Sequence, residues 1–194
     1  MKVELLAPAG DMSKLKIALA YGADAVYLAG KSFGLRALAG NFTDAELRQA
    51  VELVHATGKK VYVTLNIFAR NDDFPALIKY AKFLESIKVD AVIVSDLGVL
   101  SAVRENTNLE VHISTQANVL NKYTAEQYVA LGAKRIILAR ECSLNEIKEI
   151  ATHLNHPVAT RHPSKEGNSP RCEIEVFVHG AMCISYSGRC TLSD

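Results

Sequence analysis

The stretch TDAELRQAVELVHATGKKVYVTLNI, residues 43–67, contains a complete helix-to-strand unit. Thr43 followed by Glu46 is a capping box, a hydroxyl and a carboxylate placed to satisfy the free N–H groups of a starting helix. Apolar residues then recur at helical spacing as far as Thr57, and Gly58 suits a C-terminal cap. The β-branched, apolar run from Lys60 to Ile67 reads as a strand.

The same pattern recurs on both sides. Gly22 precedes ADAV and Gly132 precedes AKR, each at the junction of a helix and a strand. The strands expected from the pattern are Val3 to Pro8, Ala25 to Leu28, Lys60 to Ile67, Ala91 to Ser95, Glu110 to Thr115, Arg135 to Ala139 and Ile174 to Val178. Between them the spacing predicts helices over Met12 to Tyr21, Thr43 to Thr57, Phe74 to Ile87, Leu97 to Glu105, Thr124 to Leu131 and Leu144 to Leu154. Asp11 caps the first of these, and Ser143 with Glu146 caps the last. Alternation of this kind gives a parallel sheet, either an open doubly wound sheet or a barrel. The turn Pro8-Ala9-Gly10 lacks the GxGxxG spacing of a dinucleotide fold, which favours an α/β, parallel (β/α) barrel of TIM type, incomplete here with about seven strands. The free flanks of the first and seventh strands invite pairing with a second copy or a partner subunit. Residues 156–172, rich in Pro, Ser, Gly and Arg and without apolar periodicity, read as a mobile polar insertion.

The 22 Lys and Arg residues nearly cancel the 21 Asp and Glu, so no global field drives the chain onto nucleic acid or an anionic membrane. No segment has the uncharged length of a membrane helix, and the opening MKVELLAPAGD has too short an apolar run for a signal peptide; the chain is expected in the cytoplasm. Four cysteines, three of them after Pro170, are not a disulfide framework in that compartment.

In a parallel barrel the chemistry lies at the carboxyl ends of the strands. Those positions hold Gly10 and Asp11, Lys31 and Arg36, Asn66, Asp96, Gln116 and Asn118, Arg140 and Glu141, and His179. Lys31, Arg36 and Arg140 around one mouth suit an anionic small molecule; the plain alternative is solvated loop charge. Asn66 and Gln116, amides at the ends of apolar strands, need partners. His179 reads equally as a ligand or as an ordinary strand-end histidine. Cys183 and Cys190 lie in a loop with Gly, Ser and Arg just beyond the seventh strand, where thiolates can be stabilised and reach a metal. Spacing alone leaves two free cysteines as the other reading, with Cys172 a third thiol across the strand.

The run from Glu175 to Ser193 resembles the signature of the collagenase-like peptidases of unknown catalytic type, peptidase family U32. Its pattern E-x-F-x-x-G-[AS]-x-C-x(4)-G-x-C is met at Glu175, Phe177, Gly180, Ala181, Cys183, Gly188 and Cys190. LLAPAGD at 5–11, GADAVY at 22–27, LRA at 35–37, GKKVYV at 58–63, VSD at 94–96 and STQAN at 114–118 are also similar to family motifs, so the resemblance spans the chain. Ala29-Gly30, where two glycines are common, is a departure, and so is the polar insertion before Glu173.

The resemblance implies the amino-terminal barrel domain, 1–194, of a longer protein. Within the family it implies either proteolysis or hydroxylation, and the opening motifs are most similar to the prephenate-dependent tRNA uridine hydroxylation branch. That branch implies RNA, with tRNA first, as partner, the wobble uridine as target and prephenate as co-substrate. By analogy with the family's ubiquinone-precursor hydroxylases, Cys183 and Cys190 would be half the ligands of a [4Fe-4S] cluster, the other two lying beyond Asp194. Proteolysis would need a nucleophile, a base and an orienting acid; Ser114 near His112 shows no such acid, and no HExxH zinc motif is present. A non-catalytic scaffold or subunit is the third reading.

Overall fold

The computed structural model describes residues 3–35, 41–155, 172–180 and 185–189. Seven strands alternate with six α-helices: β1 (Leu6–Pro8), α1 (Met12–Ala20), β2 (Ala25–Leu28), α2 (Asp44–His55), β3 (Lys60–Leu65), α3 (Phe74–Ser86), β4 (Ala91–Val94), α4 (Leu97–Asn106), β5 (Glu110–Ile113), α5 (Lys122–Ala130), β6 (Arg135–Ile137), α6 (Leu144–Leu154) and β7 (Glu173–Glu175). Short 3-10 turns occupy Asn71–Asp73 and Thr115–Ala117. The chain divides into two compact units, one running to Glu110 and one starting at Val111.

In the first unit β1 to β4 pair side by side, all parallel and in chain order, with Val26 against Val61 and Val63 against Val92. Parallel strands need a crossover between them, and the crossover helices cover the sheet, so such strands are buried on both faces. All four residues of β4 are buried accordingly. Helix α2 turns Leu47, Ala50, Val51 and Val54 inward, the leucine and each valine contributing about 1.5–3 kcal/mol by leaving water. At the amino ends of these strands polar staples close the loops. Asp90 Oδ2 accepts from the Val61 N–H at 2.8 Å and meets His55 Nε2 at 2.9 Å, while the buried Tyr62 donates its hydroxyl to Glu4. In the second unit β5 to β7 pair in the same way, with His112 beside Arg135 and Arg135 beside Glu173. The guanidinium of Arg135, itself buried, reaches the carboxylates of Glu173 and Glu175.

The expected capping boxes form at Thr43–Glu46 and Ser143–Glu146, and Asp11 caps α1. Several boundaries differ: β3, β5 and β6 end two residues earlier than expected, at Leu65, Ile113 and Ile137, and α2 ends at His55. Three others have a visible cause. β1 begins at Leu6, because Val3 and Leu5 are exposed and outside the ladder. β7 covers Glu173–Glu175 rather than Ile174 to Val178: β6 ends at Ile137, the Leu138 N–H makes the last bond, to the Glu175 carbonyl, and Val176, Phe177 and Val178 are exposed beyond it. Helix α5 starts at Lys122, two residues before Thr124, because the Asn121 side chain caps it by accepting from the Thr124 N–H. Of the polar insertion, Cys172 is buried and leads into β7; the remainder, 156–171, lies outside the described residues.

After β2 the chain makes a close approach. Gly30 bridges to Phe42, and a methyl group on Gly30 would overlap the hydroxyl oxygen of Tyr80 on α3. That hydroxyl is buried without a hydrogen-bond partner, and burial, with the Asp44 carboxylate adding to it, pushes the phenol above its ordinary pKa. Phe33 sits in the left-handed region (φ 63°), where a bulky residue is strained, with its ring 5.6 Å from that of Tyr80. Gly30→Ala is therefore expected to cost about 1–3 kcal/mol by overpacking. Tyr80→Phe alone costs little, since it removes a group with no partner, and Gly30→Ala with Tyr80→Phe regains part of the loss. Urea denaturation of the three variants measures this.

Candidate active site

The carboxyl ends of β1 to β4 carry the residues expected at a mouth, but several of them are used locally. Asp11 accepts from the Lys14 N–H at 2.8 Å and pairs with the Lys14 ammonium, and these bonds hold its carboxyl far below the usual range. Asp96 caps α4, accepting from the Val99 N–H at 2.9 Å. Asn66 is half-buried at the end of β3: its Oδ1 accepts from the Leu35 N–H and its carbonyl from the Ser95 hydroxyl. The amide thus fixes the loop that follows β2. Lys31 is exposed, and its N–H bonds the Phe42 carbonyl at 3.1 Å. In this unit Lys31 is the exposed charge of the predicted set, Asn66 is a loop fastener and Asp96 is a helix cap. Arg36 lies outside the described residues.

The second unit gathers Gln116, Asn118 and Arg140. Ser114 Oγ accepts from the Gln116 N–H to start the Thr115–Ala117 turn, Thr115 donates to the Leu138 carbonyl, and Asn118 ends the turn in the left-handed region (φ 53°) that asparagine tolerates. Asn118 Oδ1 is buried with no hydrogen-bond partner. At the end of β6, Arg140 turns onto the segment 185–189. Its N–H and Nε reach Ser187 Oγ at 3.2 and 3.4 Å, and Nη2 donates to the Ser185 carbonyl at 3.2 Å. Glu141 accepts from the Ser187 N–H at 2.8 Å. Partial burial opposes ionisation of Glu141, but the Ser187 hydrogen bonds and the neighbouring Arg140 charge outweigh it and hold the carboxyl below its ordinary pKa. Gly188 (φ 74°) rests against the Gln116 carbonyl, with room for no side chain. His179 is exposed just past β7.

Arg140, one of the cations expected to suit an anion, hydrogen-bonds the segment 185–189 through its N–H, Nε and Nη2. Sequence reasoning missed Ser187 altogether, because a serine in a polar loop carries no periodic signal. Gly188 was visible only as a signature position. Cys183 and Cys190 lie outside the described residues, and among the described residues no three His, Cys, Asp or Glu side chains are arranged to hold a metal ion. Cys172 stands at the amino end of β7, while the segment 185–189 is fastened at the carboxyl end of β6. Ser114 and His112, the pair weighed for proteolysis, are buried on β5 and the turn after it, and Ser114 Oγ serves the Gln116 N–H. Among the described residues no helix is long and apolar enough to cross a membrane.

A parallel β/α repeat of barrel type, with a polar set at the carboxyl strand ends and a cysteine-flanked segment tied to one of them, defines the class. The family model for peptidase family U32 matches residues 10–194, and the chain belongs to that family. It is 43% identical over its whole length to the tRNA hydroxylation protein P1 of Bacillus subtilis, covering 42% of that protein. It is 44% identical over 99% of its length to an uncharacterized protease of Methanocaldococcus jannaschii, covering 44% of it. The chain thus spans about two-fifths of the length of these curated relatives. The solved structure of the U32 peptidase Mk0906 superposes with a TM-score of 0.68 at 14% identity, over 93% of this chain and 94% of that one, and shows the shared fold.

Cys172 gives a direct check of the local chemistry. Burial, reinforced by the Glu173 carboxylate, pushes its thiol up to about 12. At pH 8, four units lower, about one thiol in ten thousand is ionised, and the thiolate is the nucleophile. Iodoacetamide should leave Cys172 unmodified in the folded protein at pH 8, label it faster as pH rises, and label it fully in guanidinium, as read by peptide mass spectrometry.

Proposed function

We propose that this chain is the barrel portion of an RNA-hydroxylating enzyme, acting on the wobble uridine of tRNA with prephenate as co-substrate. The observation that carries the reading is 43% identity along the entire chain to a protein named for tRNA hydroxylation. In this reading the exposed Lys31, with Arg36, supplies cations for a dicarboxylate, since cationic side chains pair with carboxylates at strand ends. Asn66 and Asp96 shape the loops around Lys31 rather than bind, and Gln116, Asn118 and His179 remain candidates for substrate contact. The cytoplasm, where tRNA is found, is the fitting compartment.

Cys183 and Cys190 would hold two irons of a [4Fe-4S] cluster, whose usual complement is four thiolates. The donor set fits as half a site: both are cysteines, and the five residues preceding Cys190 are mounted on a strand end, which suits a ligand pair that must be prearranged. Such a cluster would supply one-electron chemistry. Proteolysis is the second reading, favoured by the name of the archaeal relative. Against it, the described residues assemble no nucleophile, base and orienting acid: Ser114 is engaged by backbone, and both it and His112 are buried.

Nucleoside mass spectrometry of tRNA from a strain lacking the gene, with and without the restored wild-type gene, decides between them. Loss and recovery of hydroxylated uridine are expected; unchanged tRNA together with peptide cleavage by the purified protein would reverse the assignment. For the cofactor, Cys183→Ala in the full-length protein, reconstituted anaerobically with iron and sulfide, should lose most of the iron, sulfide and visible absorbance. Unchanged content would remove Cys183 from the ligand set.

A further inference from the structure

Residues 186–189 form a turn whose centre is held down while its two large side chains stay in solvent. The Arg189 N–H bonds the Tyr186 carbonyl at 2.9 Å and closes the turn, and its third residue, Gly188, takes the left-handed conformation (φ 74°) that glycine suits. Ser187, the second, is completely buried: its hydroxyl accepts from the Arg140 N–H and Nε, and its own N–H goes to Glu141. Gly188 lies so close to the Gln116 carbonyl that a methyl group there would overlap it. The first and fourth residues of such a turn have Cα atoms within about 7 Å, which makes Tyr186 and Arg189 neighbours. Both are exposed, the tyrosine by 51%. Arg140 and Glu141 offset each other beneath the turn, and among the described residues the Arg189 guanidinium meets no carboxylate. A clamped backbone thus presents an aromatic ring and a free cation side by side, at the carboxyl end of β6.

We propose that Tyr186 and Arg189 are a preformed contact for a single-stranded segment of RNA: an unpaired base stacks on the tyrosine ring, and a neighbouring phosphate pairs with the guanidinium. Every nucleotide carries a π-face and a phosphate, so one aromatic ring beside one guanidinium matches the repeat of the strand whatever its sequence. Bases inside a helix are covered by their stacked neighbours, and the contact therefore selects unpaired nucleotides. Holding the turn in advance, as Arg140, Glu141 and Gln116 do, removes the ordering cost that a free loop would incur on binding. The choice of RNA over a peptide rests on the functional reading above; the paired exposure of ring and guanidinium rests on the turn.

The experiment titrates the full-length protein into a fluorescein-labelled tRNA anticodon stem–loop, and into an RNA duplex of the same length, and reads anisotropy over a series of salt concentrations. Tyr186→Ala should weaken stem–loop binding at least about fivefold, the loss expected for one stacked base, and leave duplex binding as it was. Tyr186→Phe keeps the ring and should restore the affinity. Arg189→Ala should weaken binding and lower the slope of log affinity against log salt by about 0.7, the share of one single-strand phosphate, and Arg189→Lys should restore that slope. Ser187→Ala loosens the turn without removing charge, so it should weaken stem–loop binding with the slope unchanged. Wild-type affinity in both Tyr186→Ala and Arg189→Ala would overturn the contact while leaving an RNA-binding protein. Equal loss on stem–loop and duplex in Tyr186→Ala would overturn stacking on an unpaired base. A wild-type protein that binds no stem–loop, but binds an unstructured acidic peptide in a manner these variants abolish, would overturn both the contact and the RNA reading.

Discussion

Parallel strand pairing governs this molecule. A parallel neighbour cannot be reached by a tight turn, so every strand must be followed by a crossover that returns the chain to the same end of the sheet. The crossover helices cover the apolar strands, and the irregular segments collect at two ends with different tasks. At the amino ends, Asp90, Glu4 and Lys59 bind backbone or buried groups and close the loops. At the carboxyl ends the loops carry Lys31, Gln116, Asn118 and Arg140.

Local hydrogen bonding then separates the polar residues at those ends into two kinds. A carboxylate one residue before a helix meets unpaired N–H groups within reach, and Asp11 and Asp96 are drawn into capping. Arg140 has no such neighbour and reaches across sequence to residues more than forty positions away. Polar residues at strand ends therefore do different work according to which hydrogen-bonding group lies within reach.

Strain and close approach mark where the backbone must be held still. Gly30 beneath the Tyr80 hydroxyl, Phe33 in the left-handed region and Gly188 against Gln116 all lie in or beside loops at strand ends. Each is a place where a larger residue or another conformation would displace the loop. Energy stored in such positions persists because the surrounding contacts over-determine them.

The sequence by itself determined the order of the elements, the caps at Asp11, Thr43 and Ser143, and the parallel β/α repeat, because periodicity, capping and glycine stops are local effects written within a few residues. It also determined the family, through motifs spread along the chain. Only the tertiary structure showed that Asp96 is a cap, that Asn66 fastens the loop after β2, and that Arg140 and Glu141 hold Ser187. Those partners are separated by as many as 47 positions, and no local pattern encodes which of several polar groups at a strand end will face one another. The early end of β7 has the same origin: Val176 to Val178 have strand propensity, but β6 stops at Ile137 and leaves them no ladder to join.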